Sequence, residues 1–398
     1  MVAVLQSLFT GGPQSRAGLA RSLGLNRSSS GQVVAELTTS GLVREVPDEK
    51  LRTGDDAKAG RPGIMLALAP QAATFTGIEI GVEHISFVRI NLSGAVEACR
   101  TEEFDAASSP VEEAVRLAAR FAFADVQQDR LSLCKGVGFS VPAHIAPDGT
   151  VKLAPLMGWR NVDVAAIARS ALSVDVPIIV ENDANALAFG DGYVRGRSGV
   201  TLFLSLESGV GGGILIDGKL FRGDHGLAGE IGHTRATEDG AELEQLIGRE
   251  KLLQDYRHAA QRPACRFSDF LADVRDRDPA AVTVAENWAR NLAFALANAC
   301  RLIDPQRIVL GGACAALYPL VSARVTAHMA GGKILSFPLP EISIARAPEL
   351  GSAFGAACLL HQRYLSLANE EFMAGDGHAE TAVKNAGSRH ANNESILS

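Results

Sequence analysis

A group of polar side chains follows the apolar stretch PIIV in the sequence ENDAN, residues 181–185. The stretch predicts a strand and the residues after it predict a helix, so the polar group lies at a strand end, a position open to a cleft. Asp183 can accept a hydrogen bond from a sugar hydroxyl or take its proton as a general base. Asn182 offers both a donor and an acceptor. This group favours recognition of a polyol.

A second polar group occurs in GLAGEIGH, residues 226–233. It places the carboxylate of Glu230 three residues before the imidazole of His233, between glycines, and Glu244 follows in ELEQLIG. Sugars need many directional donors and acceptors, and this set supplies them. The predicted sugar-contacting residues are Asn182, Asp183, Glu230, His233 and Glu244.

The elements that must position these groups begin near residue 74. TFTGIEIG, ISFVRINL and AVEACRTEEF predict a three-strand meander, followed by a helix at about 111–128, the strand KGVGFSVP, a loop to Trp159, a helix and the strand PIIV. A glycine-rich meander over 200–222 starts a second succession, with helices near 241–257 and 281–303, then RIVLGG, a helix, EISIAR and a last helix. A strand meander followed by alternating helices and strands occurs twice. We therefore expect two related α/β lobes with a cleft between them.

The predicted boundaries divide this body into a first lobe over residues 71–190 and a second lobe over 191–350. We expect the last helix, 351–366, to pack back on the first lobe. Residues 367–398 are polar and rich in Ala, Gly and Asn, which predicts a disordered tail.

Residues 1–70 have a different pattern, with three short predicted helices and then two short strands, LVREV and IMLAL, around a charged, glycine-containing segment. Ser15 opens the second helix, Gly24 supplies the tight turn, and Asn26 is a good N-cap for the third helix. This is the pattern of a helix-turn-helix with a wing, joined to the body by a hinge at Pro70 and Gln71.

The exposed start of the third helix carries short polar and amide side chains that can meet base edges and phosphates in a major groove. The wing adds a Lys and a Gly-Arg-Pro sequence whose guanidinium suits a minor groove. Ser30, where an apolar residue is expected, and Gly31, inside the helix, weaken the pattern. The predicted DNA contacts are Asn26, Arg27, Ser28, Ser29, Gln32, Lys58 and Arg61. The alternative is a helical cap or a winged helix that binds protein.

The composition agrees with a DNA-binding head on a small-molecule domain. The 398 residues are 47% hydrophobic and 21% charged, which is typical of soluble folded protein in two or three domains. The net charge is −7, yet residues 1–70 hold eight Lys/Arg against six Asp/Glu. Six scattered cysteines, the lack of a signal peptide and the lack of a long apolar run predict a cytoplasmic protein without disulfides or a membrane span.

Five ordered motifs now identify a resemblance to the ROK family (repressor, open reading frame, kinase), which covers the chain to about residue 365. SRAGLARSLGLNRSSSGQVVAELTTSGLV and the later GRP resemble the winged helix of its repressor branch. VPAHIAPDGTVKLAPLMGWRNV, ENDANALAFGD, SGVGGGILIDGKLFRGDHGLAGEIGH and IVLGGA resemble its body motifs, in order. The resemblance implies an actin-like, ribonuclease H-like sugar kinase fold, usually as dimers or tetramers. It also implies that the five predicted sugar-contacting residues match the family's sugar positions, with Asp183 at its catalytic base.

Two loops depart from the family's kinases. The first phosphate loop, Asp-x-Gly-Gly-Thr-like in the kinases, is Glu79-Ile80-Gly81-Val82-Glu83 here, and Gly-Thr-Gly of the second becomes Glu207-Ser208-Gly209. Kinases need free backbone N–H groups at the phosphates. Val82 adds a side chain, and Glu83 and Glu207 add negative charge, unless both glutamates point to solvent. We expect that kinase activity has been lost.

A third departure concerns zinc. The family's GEIGH histidine is usually followed by a CxCGxxGC loop, which gives one His and three Cys ligands. TRATEDGAELEQLIG has no cysteine, and His233 alone cannot assemble a four-coordinate site, so we expect no zinc and no other cofactor. His233 then either contacts sugar through one ring nitrogen or is a local hydrogen-bonder.

Together these patterns predict a non-catalytic, sugar-responsive transcriptional repressor that binds operator DNA as a homodimer or homotetramer. One alternative is a sugar kinase with a fused head, which Asp183 and GVGGG favour and Val82, Glu83 and Glu207 oppose. Another is a regulator controlled by a protein partner, with a vestigial pocket. The pattern does not identify the sugar, the operator or the direction of the response.

Overall fold

A computed structural model of the protein describes residues 1–47, 64–195, 198–238, 240–331, 338–346 and 350–366. The chain forms two compact units. The described part of the small unit comprises residues 1–37, 45–47, 64–67 and 362–366, and the large unit comprises 38–44 and the described residues of 68–361. The predicted tail, 367–398, lies outside the described residues.

The described residues of the N-terminal part, 1–47 and 64–68, form three helices and three short strands. They are α1 (Val2–Gly11), β1 (Gln14–Ser15), α2 (Arg16–Ser22), α3 (Arg27–Thr39), β2 (Val43–Pro47) and β3 (Ile64–Leu68). The strand order is β1-β3-β2, with β1 antiparallel to β3. Ser15 caps α2, because its hydroxyl accepts the Gly18 N–H at 3.0 Å, and Gly24 turns the chain at a φ of +64°. The predicted helices, turn and wing strands are therefore confirmed.

The first lobe of the large unit is a five-stranded sheet with helices. Its elements are β4 (Thr74–Ile80), β5 (His84–Asn91), β6 (Val96–Glu103), α4 (Val111–Phe123), α5 (Gln128–Leu131), β7 (Cys134–Val141), β8 (His144–Ile145), β9 (Val151–Ala154), β10 (Trp159–Val162), α6 (Val164–Ala171), β11 (Ile178–Asn182) and α7 (Asp183–Arg195). The sheet order is β11-β7-β4-β5-β6. β4 to β6 run antiparallel, and β7 and β11 add parallel to β4.

The second lobe repeats this plan. Its elements are β12 (Val200–Leu206), β13 (Val210–Ile216), β14 (Lys219–Phe221), α8 (Glu244–Ile247), α9 (Arg249–Ala259), α10 (Phe267–Arg275), α11 (Pro279–Ile303), β15 (Arg307–Gly311), α12 (Tyr318–Gly331) and β16 (Glu341–Ile344), followed by α13 (Gly351–Tyr364). The order β14-β13-β12-β15-β16 is again an antiparallel meander extended by two parallel strands. The predicted pair of related α/β lobes is confirmed.

Two local predictions were wrong, and one helix was not predicted. The helix expected to reach residue 128 ends at Phe123, and a separate short helix follows. The loop expected to end at Trp159 contains β8 and β9, which form a small sheet with β10, and strands of two to four residues are too short to show an alternating pattern. Helix α10 was not predicted, although its inward face buries Phe270 and Val274.

Glycines bring α7 against the second lobe. A Cβ on Gly211 would lie 2.7 Å from the Cβ of Ala184, and a Cβ on Gly213 would lie 2.6 Å from the Cβ of Ala188. These separations are too short for any side chain, so β13 needs glycine to pack directly on α7. The glycine run GVGGG thus has a packing role, which holds the helix that begins at Asp183 against the second sheet.

Helix α13 packs on the first lobe through equally close approaches. A Cβ on Gly77 or Gly138 would collide with backbone carbonyls of Ala353 and Ala356, and the Ser140 and Ser352 hydroxyls lie 2.7 Å apart. Of the helices described, none has the length and apolar character that a bilayer crossing requires.

Candidate functional site

Asn182 stands at the junction of β11 and α7, where it acts as a helix cap. Its side-chain oxygen accepts the Asn185 N–H at 2.9 Å, and its amide nitrogen donates to the Ala143 carbonyl at 3.1 Å. These bonds fix the first turn of α7. The second amide hydrogen is the group that Asn182 can offer to a ligand, so its role in the site is largely structural.

Asp183 opens α7 in an acidic environment. Its carboxylate accepts the Ala184 N–H at 2.8 Å. Burial, together with the nearby negative charges of Glu79 and Glu230, raises the pKa of Asp183 to about 6. A carboxyl group poised near neutral pH in this way is typical of functional sites.

Glu230, His233 and Glu244 form a cluster within the large unit. The His233 Nε2 lies 4.0 Å from Glu230, and its Nδ1 lies 3.9 Å from Glu244 and 2.9 Å from Glu242. The hydrogen bond that His233 donates to the Glu242 carboxylate is the main cause of a raised His233 pKa, and burial raises the pKa of Glu230. Glu230, His233 and Glu244 therefore lie together in one acidic cluster, and the negative charge of Glu230 also raises the pKa of Asp183.

A loop of the second lobe, residues 222–230, is tied to the first lobe at two places. Arg222 bonds to the buried Glu181, which also accepts the Asn182 N–H at 3.0 Å and the Asn185 side-chain amide at 3.1 Å. The His144 Nε2 lies 2.9 Å from the His225 carbonyl oxygen. The loop ends at Glu230, whose negative charge contributes to the raised pKa of Asp183, so these ties hold the segment that carries Glu230 against the first lobe.

The second phosphate-type loop is occupied by its own glutamate. Glu207 accepts the Ala313 N–H at 2.6 Å, and its other carboxylate oxygen lies 3.8 Å from the Arg249 guanidinium. Arg249 also donates to the Ser208 hydroxyl at 3.0 Å. Glu207 therefore does not simply point to solvent: it places negative charge on a backbone N–H at the start of a helical segment, where anions bind.

The first phosphate-type loop is arranged differently from the expectation. Val82 packs against the first lobe's core, and Glu83 is exposed, which is the solvent-facing alternative. The inward group is Glu79, which accepts the Ser86 hydroxyl at 2.9 Å and pairs with His84 at 3.5 Å. Burial opposes ionisation of Glu79, but the hydrogen bonds from His84, Ser86 and Ser352 outweigh it and lower the Glu79 pKa.

The zinc site that the family resemblance implies does not fit the donors around His233. Among the described residues, the ligand atoms that group with His233 come from Glu242 and Glu244, and none is a thiolate. The six cysteines lie elsewhere, and four of them are buried. A site with one histidine and three thiolates cannot form with this set.

The N-terminal part presents the predicted polar surface. Asn26 caps α3, because its side-chain oxygen accepts the Ser29 N–H at 2.8 Å, and Ser28, Ser29 and Gln32 are exposed. Ser30 is buried, as its place on the inward face predicts. The Arg27 side chain and the wing residues Lys58 and Arg61 lie outside the described part of the chain.

Sequence reasoning missed the ion pair of Glu181 and Arg222 and the role of Glu242. A carboxylate that follows four apolar residues of a buried strand is costly without a cation, and this was the available signal for Glu181. The partner, 41 residues away, and the approach of Glu242 to His233 depend on how the loops fold, which residue types and spacing do not reveal.

Comparisons with known proteins agree with this architecture. A family model described as ROK family matches residues 75–363. The xylose repressor of Bacillus subtilis (strain 168) is 24% identical over 367 residues, which cover 87% of this chain and 92% of the repressor.

Two solved structures share the fold. A ROK family transcriptional regulator, a homologue of the E. coli MLC protein, superposes with a TM-score of 0.74 at 20% identity, covering 92% of this chain and 96% of the regulator. A ROK family glucokinase from Streptomyces griseus, in complex with glucose and AMPPNP, superposes with a TM-score of 0.63 at 23% identity, covering 73% of this chain and 100% of the kinase. The kinase-like body and the N-terminal extension together therefore match the regulator.

Proposed function

The chain belongs to the ROK family, and from that membership we propose that it is a sugar-responsive transcriptional repressor that binds operator DNA. One observation carries the proposal. A helix-turn-helix with an exposed polar recognition helix and an acidic, hydrogen-bonding site occur together in a chain that spans 92% of a xylose repressor. In this proposal residues 1–70 bind DNA. The effector binds to the two lobes, of which the first comprises residues 71–190 with helix 351–366 and the second comprises residues 191–350.

The effector site consists of Asp183, Glu230, His233 and Glu244, with Asn182 as the cap of the helix that carries Asp183. The carboxylates outnumber the imidazole, and the raised pKa values of Asp183 and Glu230 arise mainly from burial, with a contribution from neighbouring carboxylates. An added phosphate or carboxylate on the ligand meets repulsion there. We infer an uncharged monosaccharide, whose hydroxyls donate hydrogen bonds to the carboxylates.

Control of DNA binding follows from movement of one lobe against the other. A homodimer, alone or within a tetramer, presents two α3 helices to two half-sites of an operator. Sugar that binds one lobe arrangement better than the other shifts the equilibrium between them, which typically changes affinity by about 5- to 150-fold. We propose that sugar releases the operator.

Kinase activity has no part in this proposal. The Glu207 carboxylate accepts a hydrogen bond from the Ala313 N–H, and Arg249 and Ser208 belong to the same network. A nucleotide phosphate at this loop would have to displace that network and face the carboxylate. The rival function, a sugar kinase with a DNA-binding head, draws on the fold shared with the Streptomyces griseus glucokinase.

The experiment that tests the effector site is the melting temperature of the full chain against a panel of pentoses, hexoses and their phosphates. Ligand at 100 times its dissociation constant stabilises a protein by about 2.7 kcal/mol. We expect a rise with one or a few uncharged sugars, no rise with their phosphates, and loss of the rise in Asp183→Ala. Asp175→Ala, which changes an exposed aspartate before β11, is the matched control and keeps the rise. No rise with any sugar contradicts the proposal and favours control by a protein partner.

A further inference from the structure

The segment after His233, where the family resemblance implies a zinc loop, is closed by its own hydrogen bonds. Arg235 and Glu242 form an antiparallel bridge. It is flanked by bonds from the Ala236 N–H to the Ala241 carbonyl at 2.8 Å and from the Leu243 N–H to the Thr234 carbonyl at 3.0 Å. The described residues of 234–243 thus form a short hairpin, referred to below as the 234–243 hairpin.

The described residues at the tip of this hairpin are also joined by hydrogen bonds. The Gly240 N–H donates to the Thr237 carbonyl at 3.1 Å, and the Ala241 N–H donates to the Thr237 hydroxyl at 2.9 Å. Gly240 has a φ of +92°, which a side chain would disfavour. Backbone bonds and one threonine therefore close the loop.

The returning strand of the hairpin fixes Glu242. Its N–H donates to the Gln245 side chain at 3.1 Å, and the next residue, Leu243, is 1% exposed in the second lobe's core. The carboxylate of Glu242 then reaches His233 Nδ1 at 2.9 Å, whereas that of Glu244 lies 3.9 Å away. Glu242 is thus the hydrogen-bond partner of the imidazole, and Glu244 is not.

We propose that Glu242 is a positioning residue that holds His233 by its Nδ1–H and so directs Nε2 into the effector site, in the place of a metal ion. The Nε2 atom lies 4.0 Å from the Glu230 carboxylate, which belongs to the proposed sugar site. A carboxylate bound to one ring nitrogen selects the tautomer and orientation of an imidazole. In neutral His233 this leaves Nε2 as an acceptor for a sugar hydroxyl. The sugar named as the ligand in this inference rests on the proposed function. The hydrogen bond between Glu242 and His233 does not.

The test uses the full chain and the variants Glu242→Ala, Glu242→Gln and Glu238→Ala. Glu238 is exposed on the same hairpin, so its variant is the matched control. Nitrogen-15 NMR of the histidine rings, with His233→Gln to assign the signal, reports the tautomer. We expect the Nδ1–H form in the native chain, in Glu242→Gln and in the control, and a mixture dominated by Nε2–H in Glu242→Ala. Effector affinity is expected to fall about tenfold in Glu242→Ala and less in Glu242→Gln.

Metal content supplies the second arm. We expect less than one bound zinc, manganese or other divalent ion per ten chains, and unchanged effector affinity after chelation. A stoichiometric metal whose removal abolishes effector binding overturns the proposal, since His233, Glu242 and Glu244 are then its ligands. An unchanged tautomer in Glu242→Ala overturns it as well. The histidine tautomer and the amount of bound metal are both measured without an effector, so failure to find a sugar leaves the result on Glu242 decisive.

Discussion

Arg222 donates two hydrogen bonds, from Nε at 2.8 Å and from Nη2 at 2.5 Å, to one carboxylate oxygen of Glu181. Glu181 is buried and immediately precedes the cap of α7, whereas Arg222 begins the loop that ends at Glu230. The pair therefore joins the two segments that carry the proposed effector site. Its charge-assisted bonds are directional and hold the loop in one register.

We predict that Arg222→Gln weakens effector binding at least tenfold and lowers the free energy of unfolding by about 2–3 kcal/mol. The stability loss arises because Glu181 is left as a buried charge without its cation, and it is moderated because Arg222 is partly exposed. Calorimetric titration and urea unfolding measure the two effects. Arg116→Gln, on the exposed face of α4, is the control, and an equal loss in that variant would remove the reason for assigning a role to the pair.

Asp183→Asn is expected to stabilise the protein near neutral pH while it abolishes the response to sugar. A carboxyl whose pKa rises from 3.8 to about 6 on folding costs stability when it ionises, so the free energy of unfolding falls as the pH rises from about 4 to 6. The asparagine variant lacks this cost, and its amide oxygen can still accept the Ala184 N–H.

Urea unfolding at pH 7.5 and at pH 4 measures this effect. We expect Asp183→Asn to exceed the native chain by about 2 kcal/mol at pH 7.5 and to match it at pH 4. Asp175→Asn, in an exposed position, should change neither value. A variant that is equally destabilised at both pH values would mean that the carboxylate is not strained in the folded chain.

The recognition helix offers a test that depends on a single methyl group. Gly31 lies within α3, and a Cβ there would meet no heavy atom within 4 Å. We predict that Gly31→Ala stabilises α3 by about 0.5–1 kcal/mol, seen as roughly two- to fivefold slower amide hydrogen exchange in that helix of the full chain. Gly24→Ala should do the opposite, because Gly24 has a φ of +64°. Faster exchange in Gly31→Ala would show that the glycine is needed for packing.

Nucleotide chemistry gives a further prediction. With ATP, magnesium and the sugar panel, we expect ADP production at the level of a protein-free control, because Glu207 occupies the Ala313 N–H. Glu207→Thr frees that group and should allow a larger ATP-dependent rise in melting temperature than the native chain shows. Turnover by the native chain would instead support the kinase alternative.

Sequence patterns predicted most of the architecture because its signals are local. Apolar runs identified both meanders, and caps at Ser15 and Asn26 with the turn at Gly24 identified the helix-turn-helix. The strands β8 to β10 were missed because strands of two to four residues carry almost no periodicity.

The candidate site could be predicted in its residue types but not in its connections. Asp183 and Glu230 stood out as carboxylates near glycines and helix starts. That Arg222 neutralises Glu181 and that Glu242 takes the Nδ1 of His233 follow from contacts between residues 41 and 9 positions apart. The cap at Asn182 is a local contact with Asn185, but the residue was assigned to sugar contact instead. The orientation of Glu83 was equally hidden from the sequence. Its charge was expected at the phosphate loop, whereas its side chain is exposed to solvent.

The measurement that tests the central proposal most directly is operator affinity with and without the sugar that stabilises the protein. Duplex DNA selected from a random library by the full chain is titrated by fluorescence anisotropy, with Asp183→Asn in parallel. We predict that the sugar weakens binding of the native chain by at least fivefold, while Asp183→Asn binds the same DNA and does not respond. Selection of no specific duplex, or an affinity that the stabilising sugar leaves unchanged in the native chain, would contradict a sugar-responsive repressor.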